Sequence, residues 1–296
     1  MRLAAWASAT ILAVCAFALG PDGAPSRASA QAAIASPPAM SIAISPKEEL
    51  GQHQRMEAAL AALQPQRRGV VDAYVLSVGF WDDHVFESEA VGAASVLGQR
   101  FNAQGRTLVL TNGEGPGTAR KYPGARPYQL ASALGRVGEI MDKNEDVLVL
   151  FLTSHGNQDG SIAIQEQYRT RFALRPQFLR EALDETGIKN RLIIVSSCFS
   201  GAFIPALAND NTIILTAAAH DRTSFGCQPE RDWTYFGEAF INQAMRQNRP
   251  LMDAFGTAKL LIESWEAREN VRPSIPNSSV GAQTQVITNA MTGRVR

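Results

Sequence analysis

Two short blocks carry the side chains best suited to covalent chemistry. Ser154-His155-Gly156 follows the apolar run Val147 to Thr153, and Ser197-Cys198-Phe199-Ser200-Gly201 follows the apolar run Leu192 to Ser196. A thiolate is the nucleophilic form of cysteine, and a thiol between a buried strand and the start of a helix meets backbone N–H dipoles that favour it. A nearby histidine can donate a proton to a leaving amine and later accept one from water. The pair therefore points to acyl transfer, with Cys198 as nucleophile and His155 as acid/base. Gly156 lets backbone approach a substrate with no Cβ in the way. The N–H groups of Gly156 and Cys198 are the expected oxyanion hole for a tetrahedral intermediate. Taken singly, a strand-end Cys is most often a small buried hydrophobe and a loop His a surface or capping residue. The two blocks together, one crossover apart, have far fewer innocent explanations.

The elements that must position these blocks read as an α/β chain. Strands are predicted at Val70 to Val78, Thr107 to Thr111, Val147 to Thr153, Leu192 to Ser196 and Thr212 to Thr216. Each is apolar nearly throughout, as expected of a mostly parallel sheet covered on both faces. Helices are predicted at Lys47 to Leu63, Glu87 to Phe101, Tyr128 to Asp142, Pro176 to Thr186, Trp233 to Gln247 and Leu251 to Glu269. Pro176 suits a first helical turn and Gly187 a helix stop. Sites on open parallel sheets lie beyond the carboxyl ends of the strands, which is where His155 and Cys198 fall.

Phe151-Leu152-Thr153-Ser154-His155-Gly156 and Ile193-Ile194-Val195-Ser196-Ser197-Cys198-Phe199-Ser200-Gly201 resemble the histidine and cysteine blocks of the legumain-like cysteine peptidases, in a bacterial-type member. The stretch from Thr216-Ala217-Ala218 through Arg222-Thr223-Ser224-Phe225-Gly226-Cys227 to Thr234-Tyr235-Phe236-Gly237 is similar to the family's substrate-pocket region. The resemblance implies a three-layer caspase-like fold and a Cys-His dyad made of Cys198 and His155. It also implies a pocket in which Ser224 contacts the residue before the scissile bond, with Glu230 and Glu87 as carboxylates nearby. Two departures matter. Legumain-type sequences carry an acidic residue two positions before the nucleophile, where this chain has Ser196. Their Arg-His pair after the first strand has no counterpart in Val85-Phe86-Glu87. Asparaginyl specificity is therefore not carried over.

Composition and the remaining motifs narrow the reading. Lys+Arg 28 balances Asp+Glu 28, so nothing steers the chain toward nucleic acid or an anionic membrane. Residues 1–30 read as a signal peptide: Arg2, the Ala/Leu-rich run Leu3 to Leu19, then Ala28-Ser29-Ala30. An uncleaved N-terminal anchor is the competing reading and the only membrane contact expected. Either way the protein is expected to be exported, periplasmic or secreted. Residues 31–65 read as an Ala/Ser/Pro tether and an N-terminal helix, and residues 66–296 as the peptidase domain. Gly113-Glu114-Gly115-Pro116-Gly117 has Thr118 where a dinucleotide fingerprint needs glycine, so it reads as a substrate-side loop. His53, His84, His155 and His220 show no metal-ligand spacing, and no G-x-S-x-G elbow surrounds Ser197 or Ser200. No cofactor and no metal are expected. The expected partner is a peptide or protein substrate. Transpeptidation on the same site and a non-catalytic binding protein of the same fold are the alternatives.

Overall fold

The computed structural model describes residues 46–113, 121–166 and 170–292. The N-terminal run, the tether to residue 45 and the Gly-rich loop from Glu114 lie outside the described residues. In chain order the elements are α1 (Pro46–Ala61), β1 (Ala73–Gly79), α2 (His84–Arg100), β2 (Thr107–Thr111), α3 (Pro127–Ile140), β3 (Val147–Thr153), β4 (Ile162–Glu166), β5 (Thr170–Leu174) and α4 (Pro176–Thr186). There follow β6 (Asn190–Ser196), α5 (Phe203–Leu207), β7 (Thr212–Thr216), a π-helix (Gly237–Ala244), α6 (Leu251–Glu269), β8 (Asn277–Val280) and α7 (Gln285–Thr292). Among the described residues, no helix is long and apolar enough to cross a membrane.

Six strands form one sheet in the order β2-β1-β3-β6-β7-β8, parallel except for β8. Side-chain alternation along the strands divides the core in two. Val147, Val149 and Phe151 of β3 pack on one face with Ala93 and Leu97 of α2, Phe240 of the π-helix and Phe255 of α6. Leu148, Leu150 and Leu152 pack on the other with Leu130 and Leu134 of α3 and Leu179 and Leu183 of α4. A continuous apolar run is what a strand covered on both faces requires. Each large aliphatic or aromatic side chain so buried contributes about 1.5–3 kcal/mol. The result is a mixed α/β sheet flanked by helices on both faces, the caspase-like three-layer arrangement.

The helix boundaries follow local chemistry. Pro176 occupies the first turn of α4, and Gly187 ends that helix in the left-handed conformation at φ 69°. The expected helix from Trp233 to Gln247 is instead a shorter π-helix, with Met245 N–H donating to Phe240 O at 2.8 Å. Its Phe236 and Phe240 stack at 5.5 Å and both meet Phe255. Packing in the core, not helical period, sets this segment. The antiparallel pair β4–β5, the short edge strand β8, α5 and α7 are additional to the expected elements.

Strand order reverses at β1, since β2 lies on one side of it and β3 on the other. The crevice beyond the ends of β1 and β3 is the switch point where open α/β sheets bind ligands. In the register of β3 with β6, Thr153 pairs with Ser196. His155 and Cys198 each lie two residues past that pair and so leave the sheet at the same level.

Candidate active site

The turn after β6 holds Cys198 part-buried and tied to the loop that carries Ser224. Phe199 adopts a left-handed conformation at φ 57°, a conformation costing about 1–3 kcal/mol for a non-glycine residue and kept only where surrounding structure enforces it. The enforcement here is visible: Phe199 N–H donates to Arg222 O at 2.7 Å, and Gly201 N–H to Ala218 O at 2.9 Å. Ser224 N–H donates to the Cys198 sulfur at 3.3 Å, and the Ser224 hydroxyl lies 3.7 Å from it. The sulfur thus has a backbone donor aimed at it, an arrangement suited to negative charge.

His155 is held by the turn after β3 and by the β4–β5 hairpin. Ala163 N–H donates to His155 O, and the Ser154 hydroxyl donates to Ala163 O. The imidazole meets Trp81 and Phe86 edge-on, with centroids 5.0 and 4.8 Å away. Its Nε2 lies 3.8 Å from the Asp83 carboxylate, at the N-terminus of α2. Burial against these rings holds the imidazole below its ordinary pKa, with Asp83 opposing part of that effect. Among the described residues no hydrogen bond joins this ring to the Cys198 thiol.

The two turns meet through Gly156. A Cβ built there would overlap the Cys198 carbonyl and lie 2.7 Å from Cys198 C and 3.0 Å from Cys198 N. Gly156 pairs with Ile162 in an isolated antiparallel bridge whose bonds run from Asn157 N–H to Ser161 O and from Ala163 N–H to His155 O. In that pattern the Gly156 N–H is not used by the pairing. Among the described residues neither it nor the Cys198 N–H has an acceptor.

The other expected site residues are dispersed. Ser224 touches the Cys198 sulfur. Glu230 is exposed on the turn that Arg231 N–H closes on Gln228 O. Glu87 lies against Gly113 at the end of β2. Cys227 is a free thiol, as is Cys198. Burial pushes the Cys227 thiol up to about 12, with the charges of Cys198 and Glu89 adding to the effect, so it is a poor nucleophile.

Two acidic residues at the site were not singled out from the sequence. Asp83 follows β1 at the switch point, and that position was its signal. Glu89 is fully buried on α2, in phase with Val85, Phe86, Ala93 and Leu97. The period of the helix therefore placed it on the core-facing side, but a single carboxylate in such a stripe says nothing about its partners.

A sheet of this order, with a thiol and an imidazole at adjacent strand ends, belongs to the class of caspase-like cysteine peptidases, which are hydrolases. A model of the Peptidase C13 family matches residues 129–286, more than half of the chain, and the chain belongs to that family, the legumain family. No curated protein matches the chain.

Proposed function

We propose that the protein is an endopeptidase working through a Cys198–His155 dyad and an acyl-enzyme. The observation that carries this reading is the meeting of the His155 and Cys198 turns through the backbone of Gly156, at one level of the sheet. The Cys198 sulfur attacks the scissile carbonyl carbon while His155 takes the thiol proton, and the carbonyl oxygen becomes an oxyanion between the Gly156 and Cys198 N–H groups. The C–N bond breaks as His155 returns the proton to the amine. Water, deprotonated by His155, then attacks the thioester and releases acid and thiol. Asp83, facing Nε2, fixes the ring orientation through the cycle. The peptidase domain is taken as residues 66–296. Export rests on the N-terminal run of the sequence alone.

The test is labelling with an electrophilic thiol probe and mass-spectrometric location of the adduct. Alkylation is expected at Cys198 with parallel loss of peptidase activity, whereas chelators leave activity unchanged. Among the described residues, no three His, Cys, Asp or Glu side chains are grouped to hold a metal. Activity lost on chelation and restored by zinc would sink the dyad reading.

Specificity is proposed to run against Asp and toward Asn or a basic residue before the scissile bond, with Ser224 as the pocket wall and Glu230 and Glu87 as carboxylates contributed from separate elements. Like charge disfavours a substrate carboxylate, and an amide or cation is accepted by hydrogen bond or charge pairing. Because Glu230 is exposed and screened, Glu230→Gln is expected to lower the preference for basic over neutral residues only about threefold. Cleavage profiling on a peptide library at neutral pH reads this directly, and a dominant preference for Asp would overturn it.

A further inference from the structure

Glu89 sits beneath the catalytic turns with its side chain wholly enclosed. Its carboxylate receives hydroxyl hydrogen bonds from three separate segments. The Thr153 hydroxyl donates to Oε2 from the end of β3, two residues before His155. The Ser196 hydroxyl lies 3.4 Å from both carboxylate oxygens at the end of β6, two residues before Cys198. The Thr234 hydroxyl donates to Oε1 at 2.7 Å from the segment entering the π-helix. That third segment is tied to the Ser224 loop, since Tyr235 N–H donates to Phe225 O at 3.0 Å. Gly237 makes room for the carboxylate, because a Cβ there would overlap Oε1.

Hydrogen bonding in this cluster favours the ionised carboxyl, and burial opposes it. An ionised carboxylate only accepts, with about four lone-pair sites, and three hydroxyls lie within donating reach of it, that of Ser196 also lying 3.1 Å from that of Thr234. The Thr234 oxygen is occupied in turn by the Gly237 N–H at 3.0 Å. Protonating Glu89 turns one acceptor into a donor, so one of the three hydroxyls must turn its own proton elsewhere, as Ser196 can toward the Thr234 oxygen 3.1 Å away. The groups facing the carboxyl are Thr153, Ser196, Thr234 and Gly237, and the titratable side chain that feels its charge is Cys227. Burial opposes ionisation, while the three hydroxyls favour it. The balance pushes the carboxyl up to about 7.

We propose that Glu89 is a positioning residue for the peptidase reaction, its ionised carboxylate bracing the His155 turn, the Cys198 turn and the Ser224 loop in one geometry. The proposal rests on the dyad reading above. It does not place Glu89 in contact with substrate. Protonation slackens the brace, so turnover gains an acidic limb that belongs to Glu89. This limb lies above the one set by His155, whose pKa is depressed.

The experiment compares the full chain with Glu89→Gln and Glu89→Asp, measuring kcat and KM across roughly pH 5 to 9 together with thermal unfolding. In Glu89→Gln, kcat at pH 8 is expected to fall about a hundredfold, as for an ångström-scale misplacement of catalytic groups. KM stays within about threefold. The limb with its midpoint near neutrality disappears, and the melting temperature at pH 8 stays equal to or above that of the parent because the cost of a buried charge is gone. Glu89→Asp restores part of kcat and keeps a displaced limb. Wild-type kcat and pH profile in Glu89→Gln would overturn the proposal. So would equal losses in both variants at every pH. Should Glu89→Gln fail to fold, an unshifted limb in Glu89→Asp overturns it alone. Cys198→Ala run alongside separates the two readings, since activity in that variant refutes the dyad whatever Glu89 does.

Discussion

Cys198→Ala is expected to lower peptide hydrolysis by about a thousandfold or more, because it removes the proposed nucleophile. The unfolding temperature should stay within about 2 °C of the parent. The thiol is part-buried on a turn, its sulfur shares hydrogen bonds with the Ser224 loop, and it belongs to neither core cluster. His155→Ala is expected to cost activity on the same scale. It would open space between Trp81 and Phe86, so a modest loss of stability accompanies it. Cys227→Ala serves as the control and keeps activity, as suits a thiol held protonated by burial. A folded, inactive Cys227→Ala beside an active Cys198→Ala would reverse the assignment of the nucleophile.

Gly156→Ala is expected to lower kcat about a hundredfold through geometry alone, without removing any reactive group. The added methyl overlaps the carbonyl of Cys198 and crowds its amide nitrogen, and these are backbone atoms, so no flexible side chain can swing aside. Either the Cys198 turn or the His155 turn must move. Overpacking of this kind costs about 1–3 kcal/mol, so a melting temperature lowered by several degrees should accompany the kinetic loss. Alkylation of Cys198 should persist in Gly156→Ala, because the thiol remains accessible. That distinguishes a displaced oxyanion site from a destroyed nucleophile. Wild-type kcat in this variant would show that the contact of the two turns is unimportant for turnover.

Much of the scaffold was legible from the chain. The runs Thr107 to Thr111, Val147 to Thr153 and Thr212 to Thr216 are strands at the expected bounds, and Pro176–Thr186 and Leu251–Glu269 are helices at theirs. Apolar side chains on both faces leave a buried parallel strand little freedom of interpretation, and Pro and Gly mark helix ends by steric necessity. The hairpin β4–β5 was not legible in the same way. Ile162-Ala163-Ile164-Gln165-Glu166 is short, and its place is fixed by partners distant in sequence, as when Gln165 N–H donates to Phe80 O. Local propensity carries no record of such a partner.

The sequence by itself determined the chemistry available at the site: a thiol and an imidazole at the carboxyl ends of two buried strands, with a glycine beside the histidine. Those facts follow from residue type and period, which are local. Tertiary structure decided which other groups share the space. Strand register brings His155 and Cys198 to one level, and reversal of strand order at β1 brings Asp83 and the rings of Trp81 and Phe86 around the imidazole. It also draws the hydroxyls of Thr153, Ser196 and Thr234 onto one carboxylate from α2, across separations of 64, 107 and 145 residues. Burial and hydrogen bonding set the protonation of such a group, and both depend on the folded packing of segments that are far apart along the chain.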